Sequence, residues 1–181
     1  MDLSSRSLAE YILYREKIIS KLETITNKDS EATIHNLILP KRSILKNNHN
    51  ITTIYNNNLW LLDNKYMTYT TAMSERTMQE VVEEITQGVE QESDSNRPDL
   101  AIIFSDNPED LSCKVDVVII ELKKRGIKLS KTEEVISQLK QRATKLMNYY
   151  PNRIQRIWFY GIVEFNDEFK LSLKNEHYTP L

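Results

Sequence analysis

Two runs rich in β-branched residues, "PDLAIIF" at 98–104 and "VDVVIIELK" at 115–123, constrain the fold more than anything else in this chain. Each is short, apolar and bounded by turn formers, and the "SDNPEDLSCK" between them is a long turn-rich loop, so the two are expected to pair as a hairpin. From Ser130 the apolar period becomes helical. Ile136, Leu139, Ala143, Leu146, Met147 and Tyr150 share a face, Ser130 and Glu133 have capping-box spacing, and Pro151 ends the run. "RIQRIWFYGIVEF" then reads as a further strand. A strand, helix, strand crossover after residue 123 implies a mixed β-sheet flanked by helices, an α/β fold.

The rest of the chain is read in the same terms. "SLAEYILYREKIISKLETI" predicts a helix from about 7 to 25 on Leu8, Tyr11, Ile12, Ile18, Ile19 and Leu22, with Ser7 and Glu10 as a capping box. A second helix should start near Asp29 or Ser30, bury Ile34, Leu37 and Ile38, and stop before Pro40. The Asn-rich "KNNHNITTIYNNN" predicts loop with an edge-strand fragment, and "LWLLD" a buried strand. "SERTMQEVVEEITQGVEQESDSN" predicts a helix on Met78, Val81, Val82 and Ile85 that frays into an acidic loop, mobile over 88–96. "FKLSL" is read as one more strand.

A length of 181 residues fits one domain, with N-terminal helices at about 7–39 and a core at about 58–165. The single Cys113 cannot form an internal disulfide, and no secretory leader is recognisable, which points to a reducing, cytoplasmic compartment. No apolar run approaches the roughly 20 residues that cross a bilayer, so no membrane partner is expected. The net charge of −2 gives no global signal for nucleic acid, yet residues 75–110 are predominantly acidic and 123–156 predominantly basic. Held apart by the fold, the second block would make a surface able to hold phosphates; two ordinary solvated faces would carry the same charges.

The chemistry gathers where the apolar runs begin and end. A period of two puts Val115, Val117, Ile119, Glu121 and Lys123 on one face of one strand. Asp99 heads the other run, so antiparallel pairing brings its carboxylate beside Glu121. Two carboxylates held close raise each other's pKa, a penalty that a divalent cation removes. Mg²⁺ takes one or two carboxylates plus waters and substrate phosphates, and an ammonium at Lys123 stands where it can orient an activated water.

Pro98-Asp99 followed by Glu121-Leu122-Lys123 resembles the motif of the PD-(D/E)XK nuclease superfamily. The resemblance implies a restriction-endonuclease-like fold with an α-β-β-β-α-β core, and a Mg²⁺- or Mn²⁺-dependent endonuclease acting on nucleic acid, DNA first. It implies Asp99 and Glu121 as metal ligands and Lys123 beside the attacking water. Glu31, in line with the buried stripe of the second helix, matches the acidic residue that such nucleases often bring from an N-terminal helix; complementing the helix dipole is the other reading. Gln138 matches a polar residue on the helix after the motif. With it, Arg142 and Lys145 form a stripe that would meet backbone phosphates, as would Lys124 and Arg125, unless they are a solvated flank.

"EATIHNLILP", "NLWLLDNKYMTY", "RPDLAII", "VVIIELKK" and "EEVISQLKQ" together are similar to a nuclease-like module at the C-terminus of some bacterial histidine-kinase-type ATPase proteins, over roughly residues 8–165. The ATPase part has no counterpart here. The partners implied are nucleic acid, a homodimer or larger complex, and an ATPase; the settings implied are antiviral defence or repair. A catalytically weak module that binds nucleic acid or protein with the same fold is the alternative. His35 reads as a structural histidine, Trp60 as core, Asp63 as a turn former, and Tyr149, Tyr150, Trp158, Phe159 and Tyr160 mostly as packing.

Overall fold

The computed structural model describes residues 3–47, 55–88, 93–107, 110 and 112–179. Five strands, β1 (Ile44–Lys46), β2 (Thr71–Ser74), β3 (Leu100–Phe104), β4 (Val115–Leu122) and β5 (Ile154–Ile162), lie side by side in that order. Antiparallel pairing runs from β1 to β4, whereas β5 is parallel to β4. The expected hairpin is therefore present: Leu100 opposes Ile120 and Phe104 opposes Asp116. Helix α4 (Leu129–Met147) makes the crossover to β5.

Helices cover both faces of the sheet, which is why β4 is apolar on both sides rather than alternating. Leu100, Ile102, Val118, Ile120 and Leu122 pack against Ile34 and Ile38 of α2 (Glu31–Ile38) together with Leu59 and Tyr66. On the opposite face Ala101, Ile103, Val117 and Ile119 meet Val81, Val82 and Ile85 of α3 (Met78–Thr86) and Leu146 of α4. Val117 through Ile120 are fully buried. Each contributes about 1.5–3 kcal/mol relative to exposure as an upper figure. Strand alternation then assigns Asp99 and Glu121, in phase with Ala101 and Ile119, to the α3 and α4 side.

Helix α2 starts where its sequence predicts, with the Ser30 hydroxyl accepting from the Thr33 N–H, and ends at Leu39 in extended conformation before Pro40. Thr77 and Glu80 form a full capping box at the head of α3.

Several expectations are corrected. "LWLLD" is not a strand: Leu59–Leu61 form a 3₁₀ turn followed by a second at Asn64–Thr68, because Asn57 Oδ1 takes the Leu59 N–H and Asp63 caps the next turn. "FKLSL" lies in helix α5 (Asp167–Asn175), capped by Asn166 with Asp167 and Glu168 in its first turn. Helix α1 spans Leu3–Glu23, so Ser7 is inside it rather than at its cap. Likewise α4 begins at Leu129 with Lys128 before it, and Ser130 does not cap it.

The inner face of α1 also differs from the expected stripe. Tyr14 hydroxyl donates to Asn58 Oδ1, Arg15 stacks over Trp60 at 4.1 Å and Ile18 is buried, while Leu8, Ile12, Ile19 and Leu22 are 40–59 % exposed. The edge-strand fragment expected in "KNNHNITTIYNNN" falls mainly on 48–54, outside the described residues. Of the acidic 88–96 loop, 89–92 lie outside them, and 93–96 have no regular secondary structure. Strands β1 and β2 have no counterpart in the sequence-based expectation. Among the described residues no helix is long and apolar enough to cross a membrane.

Candidate active site at the end of strands β3 and β4

The β3–β4 register ends with Leu100 opposite Ile120, which leaves Asp99 and Glu121 each one residue beyond that last pair, close enough for the charge of Asp99 to act on the Glu121 carboxyl. Asp99 is fixed through both its backbone and its side chain. Its Oδ2 accepts the Leu122 N–H at 2.6 Å, while its carbonyl accepts the Glu75 N–H at 2.9 Å and His35 Nε2 at 3.0 Å. Because a carbonyl only accepts, Nε2 carries the ring proton. His35 is fully buried and its Nδ1 has no partner.

Glu121 is 2 % exposed and points at α4, where Arg142 Nε donates to its Oε1 at 3.1 Å. Burial pushes the Glu121 carboxyl up to about 7, and the charge of Asp99 pushes the same way. The Arg142 and Lys123 charges oppose that rise without cancelling it. A buried carboxyl poised near neutrality is a frequent mark of a functional site. Among the described residues, no hydrogen bond is made to the second oxygen of either carboxylate, Asp99 Oδ1 or Glu121 Oε2.

Lys123 stands two residues beyond Glu121, half-buried, with its backbone N–H bound to the Ile162 carbonyl at 2.9 Å. Gln138, one helical turn before Arg142, has a buried Oε1 without a partner. Asp99 and Lys123 both act on the Glu121 carboxyl through their charge, in opposite directions.

The expected phosphate-binding residues divide. Arg142 is 5 % exposed and spans Glu121 and the Arg97 carbonyl, the latter at 3.2 Å, so it faces the interior rather than an open flank. Lys145 is 3.8 Å from Asp94 with a side chain only 13 % exposed. Arg125 donates to the Ile25 carbonyl and approaches Glu164, whereas Lys124 is exposed. Glu31 opens α2 as its first helical residue, and no hydrogen bond or ion pair joins it to Asp99 or Glu121. Among the described residues no three His, Cys, Asp or Glu side chains cluster as a metal-holding group.

Two participants differ from the motif-based reading: Arg142 faces Glu121 instead of a phosphate-binding flank, and Glu75 lies outside the motif. Arg142 was legible as an inward residue, since Val135, Arg142 and Leu146 recur at helical spacing and all three are buried. Glu75 was not. It follows β2 with φ of 50°, binds Asp99 through its N–H, and pairs its carboxylate with Lys41 at 2.6 Å, which holds it below the usual carboxylate range.

No protein-family model, curated protein or solved structure matches this chain.

Proposed function

We propose that this protein is a metal-dependent nuclease that hydrolyses phosphodiester bonds of nucleic acid, DNA first. One observation carries the reading. Asp99 and Glu121 flank the last β3–β4 pair, and burial together with the charge of Asp99 raises the Glu121 carboxyl to about 7. In this reading α2, β2, β3, β4, α4 and β5 correspond to the α-β-β-β-α-β core of restriction-endonuclease-like folds, with β1 inserted after α2 and α3 between β2 and β3.

The donor set fits a hard cation such as Mg²⁺ or Mn²⁺, which takes one or two carboxylates and fills its shell with water and substrate oxygens. Asp99 and Glu121, each with one oxygen uncommitted to the described residues, would hold it; Glu31, the third carboxylate named by the sequence, forms no three-residue group with them. When bound, the ion supplies a more acidic water and offsets phosphate charge.

The chain supplies the rest. Two paired strands hold the carboxylates rigidly, which matters because a small misplacement costs rate steeply. Lys123, on the same strand face as Glu121, brings an ammonium to the water or to a phosphate oxygen. The Gln138 amide, with its oxygen unpaired, offers an acceptor on α4. Lys124 on the rim meets backbone phosphates, with Arg125 beside it on the same loop. Cytoplasmic defence or repair is the setting this chemistry suits.

A second reading, a nucleic-acid-binding or protein-interaction module without turnover, is favoured by the Arg142 ion pair, which gives Glu121 a partner in the absence of any cation. Lys123→Met separates the two. Incubation of duplex and single-stranded DNA and RNA with Mg²⁺ should yield cleavage by the wild type and at least a hundredfold less by the variant, with metal binding kept. A wild type that binds nucleic acid and metal yet cuts no substrate contradicts the nuclease reading and favours the module.

A further inference from the structure

Arg142 sits in an unusual position for a side chain on a helix flank. Its guanidinium and the Glu121 carboxylate are 6 % and 2 % exposed, and they meet at 3.1 Å. A second arm of the same fork reaches the Arg97 carbonyl at 3.2 Å, two residues before Asp99. Arg142 therefore ties the strand bearing one carboxylate to the segment leading into the other. It takes only Oε1 of Glu121, and the Leu122 N–H takes only Oδ2 of Asp99.

The geometry points to Arg142 as a positioning residue that serves as the resident counter-charge of the carboxylate pair, holding Glu121 in register without metal and lowering the affinity of the site for a divalent cation. The inference rests on the metal-dependent reading above. A fixed guanidinium needs no displacement for a cation to reach the two remaining oxygens. It does repel that cation across a few ångströms of poorly screened interior, where like charges interact far more strongly than in water. The planar fork suits this task, since it can bond a carboxylate and a carbonyl at once, as a lysine ammonium does with less geometric definition.

The test is a calorimetric titration with Mn²⁺ and with Mg²⁺ of the wild type and Arg142→Met, at a pH of about 8.5. Loss of the guanidinium should tighten metal binding at least tenfold, while the metal-free variant melts at a lower temperature than the wild type. In wild-type protein labelled with ¹⁵N, the Arg142 Nε–H resonance, assigned by its absence from Arg142→Lys, should shift in step with metal occupancy. This second readout stands even if Arg142→Met does not fold. Unchanged or weaker affinity in a folded Arg142→Met, or a wild-type Nε–H resonance that stays fixed at saturating metal, overturns the inference and leaves the nuclease reading intact. Absence of metal binding by both proteins overturns the two together.

Discussion

Asp99 accepts the backbone N–H of Leu122 through its side chain at 2.6 Å, so the carboxylate of one strand is locked to the backbone of the next, one residue beyond Glu121. The hydrogen bond extends the β3–β4 pairing past its last backbone pair. It turns a strand end, where fraying is ordinary, into a fixed platform for charge.

Substitution at Asp99 should separate charge from structure. Asp99→Asn keeps an acceptor for the Leu122 N–H and should unfold in urea within about 1 kcal/mol of the wild type, whereas Asp99→Ala should cost about 1–3 kcal/mol by leaving that donor unpaired. Both should lose cleavage and metal binding. Equal stability of the two variants would show that the 2.6 Å contact contributes nothing.

The Glu121 carboxyl gives the protein a measurable pH dependence. Its folded pKa of about 7 exceeds its unfolded value near 4.5, so between those values the native state holds more proton than the unfolded state. Stability should therefore fall as pH rises from about 4.5 to about 7 and level off above, by an amount on the order of 3 kcal/mol for this group. Glu121→Gln lacks the titration, so urea midpoints taken across that window should show a flatter profile for the variant. Parallel profiles would place the titration elsewhere.

His35 ties α2 to the Asp99 carbonyl from a fully buried position. His35→Leu should lose about 0.5–1.5 kcal/mol of stability by removing that donor, since the Glu75 N–H still serves the carbonyl. Thermal melting and Mg²⁺ titration should show a lower melting temperature with metal affinity changed less than by any substitution at Glu121. An unchanged melting temperature would mean that the histidine does not hold the site.

Gly161 marks the close approach of β5 to α4. A Cβ there would lie 2.6 Å from Val135 Cγ1, closer than atoms can stand. Gly161→Ala should destabilise by about 1–3 kcal/mol, and Val135→Ala in the same chain should recover part of the loss, a coupling that denaturant unfolding of the double-mutant cycle measures. Additive losses would show that the strand and helix move apart freely.

Much of this was legible in the sequence for identifiable reasons. β3 and β4 could be read because both faces of the sheet are buried, so their apolar runs are continuous; α2 could be read because its cap and period agree, and α3 from its period alone. β1 and β2 escaped because they are three and four residues long, with too few residues to show a period. Leu59 and Trp60 are as buried as strand residues would be, but Asn57 and Asp63 redirect the local hydrogen bonds into turns, which apolarity alone does not reveal. At the site, Asp99, Glu121 and Lys123 followed from alternation and strand pairing. Arg142 was placed with the solvent-facing basic residues because charge outweighed the helical period in that reading, and burial beside Glu121 reverses the order.

In the proposed function Asp99 and Glu121 together hold a divalent cation that supports phosphodiester hydrolysis. Its most direct test is calorimetric titration of Mg²⁺ and Mn²⁺ into the wild type and Glu121→Ala, with cleavage of mixed DNA substrates measured on the same samples. Binding and cleavage are expected in the wild type and neither in the variant. A wild type that binds no metal up to millimolar concentration, or a Glu121→Ala that binds and cuts as well as the wild type, would contradict it.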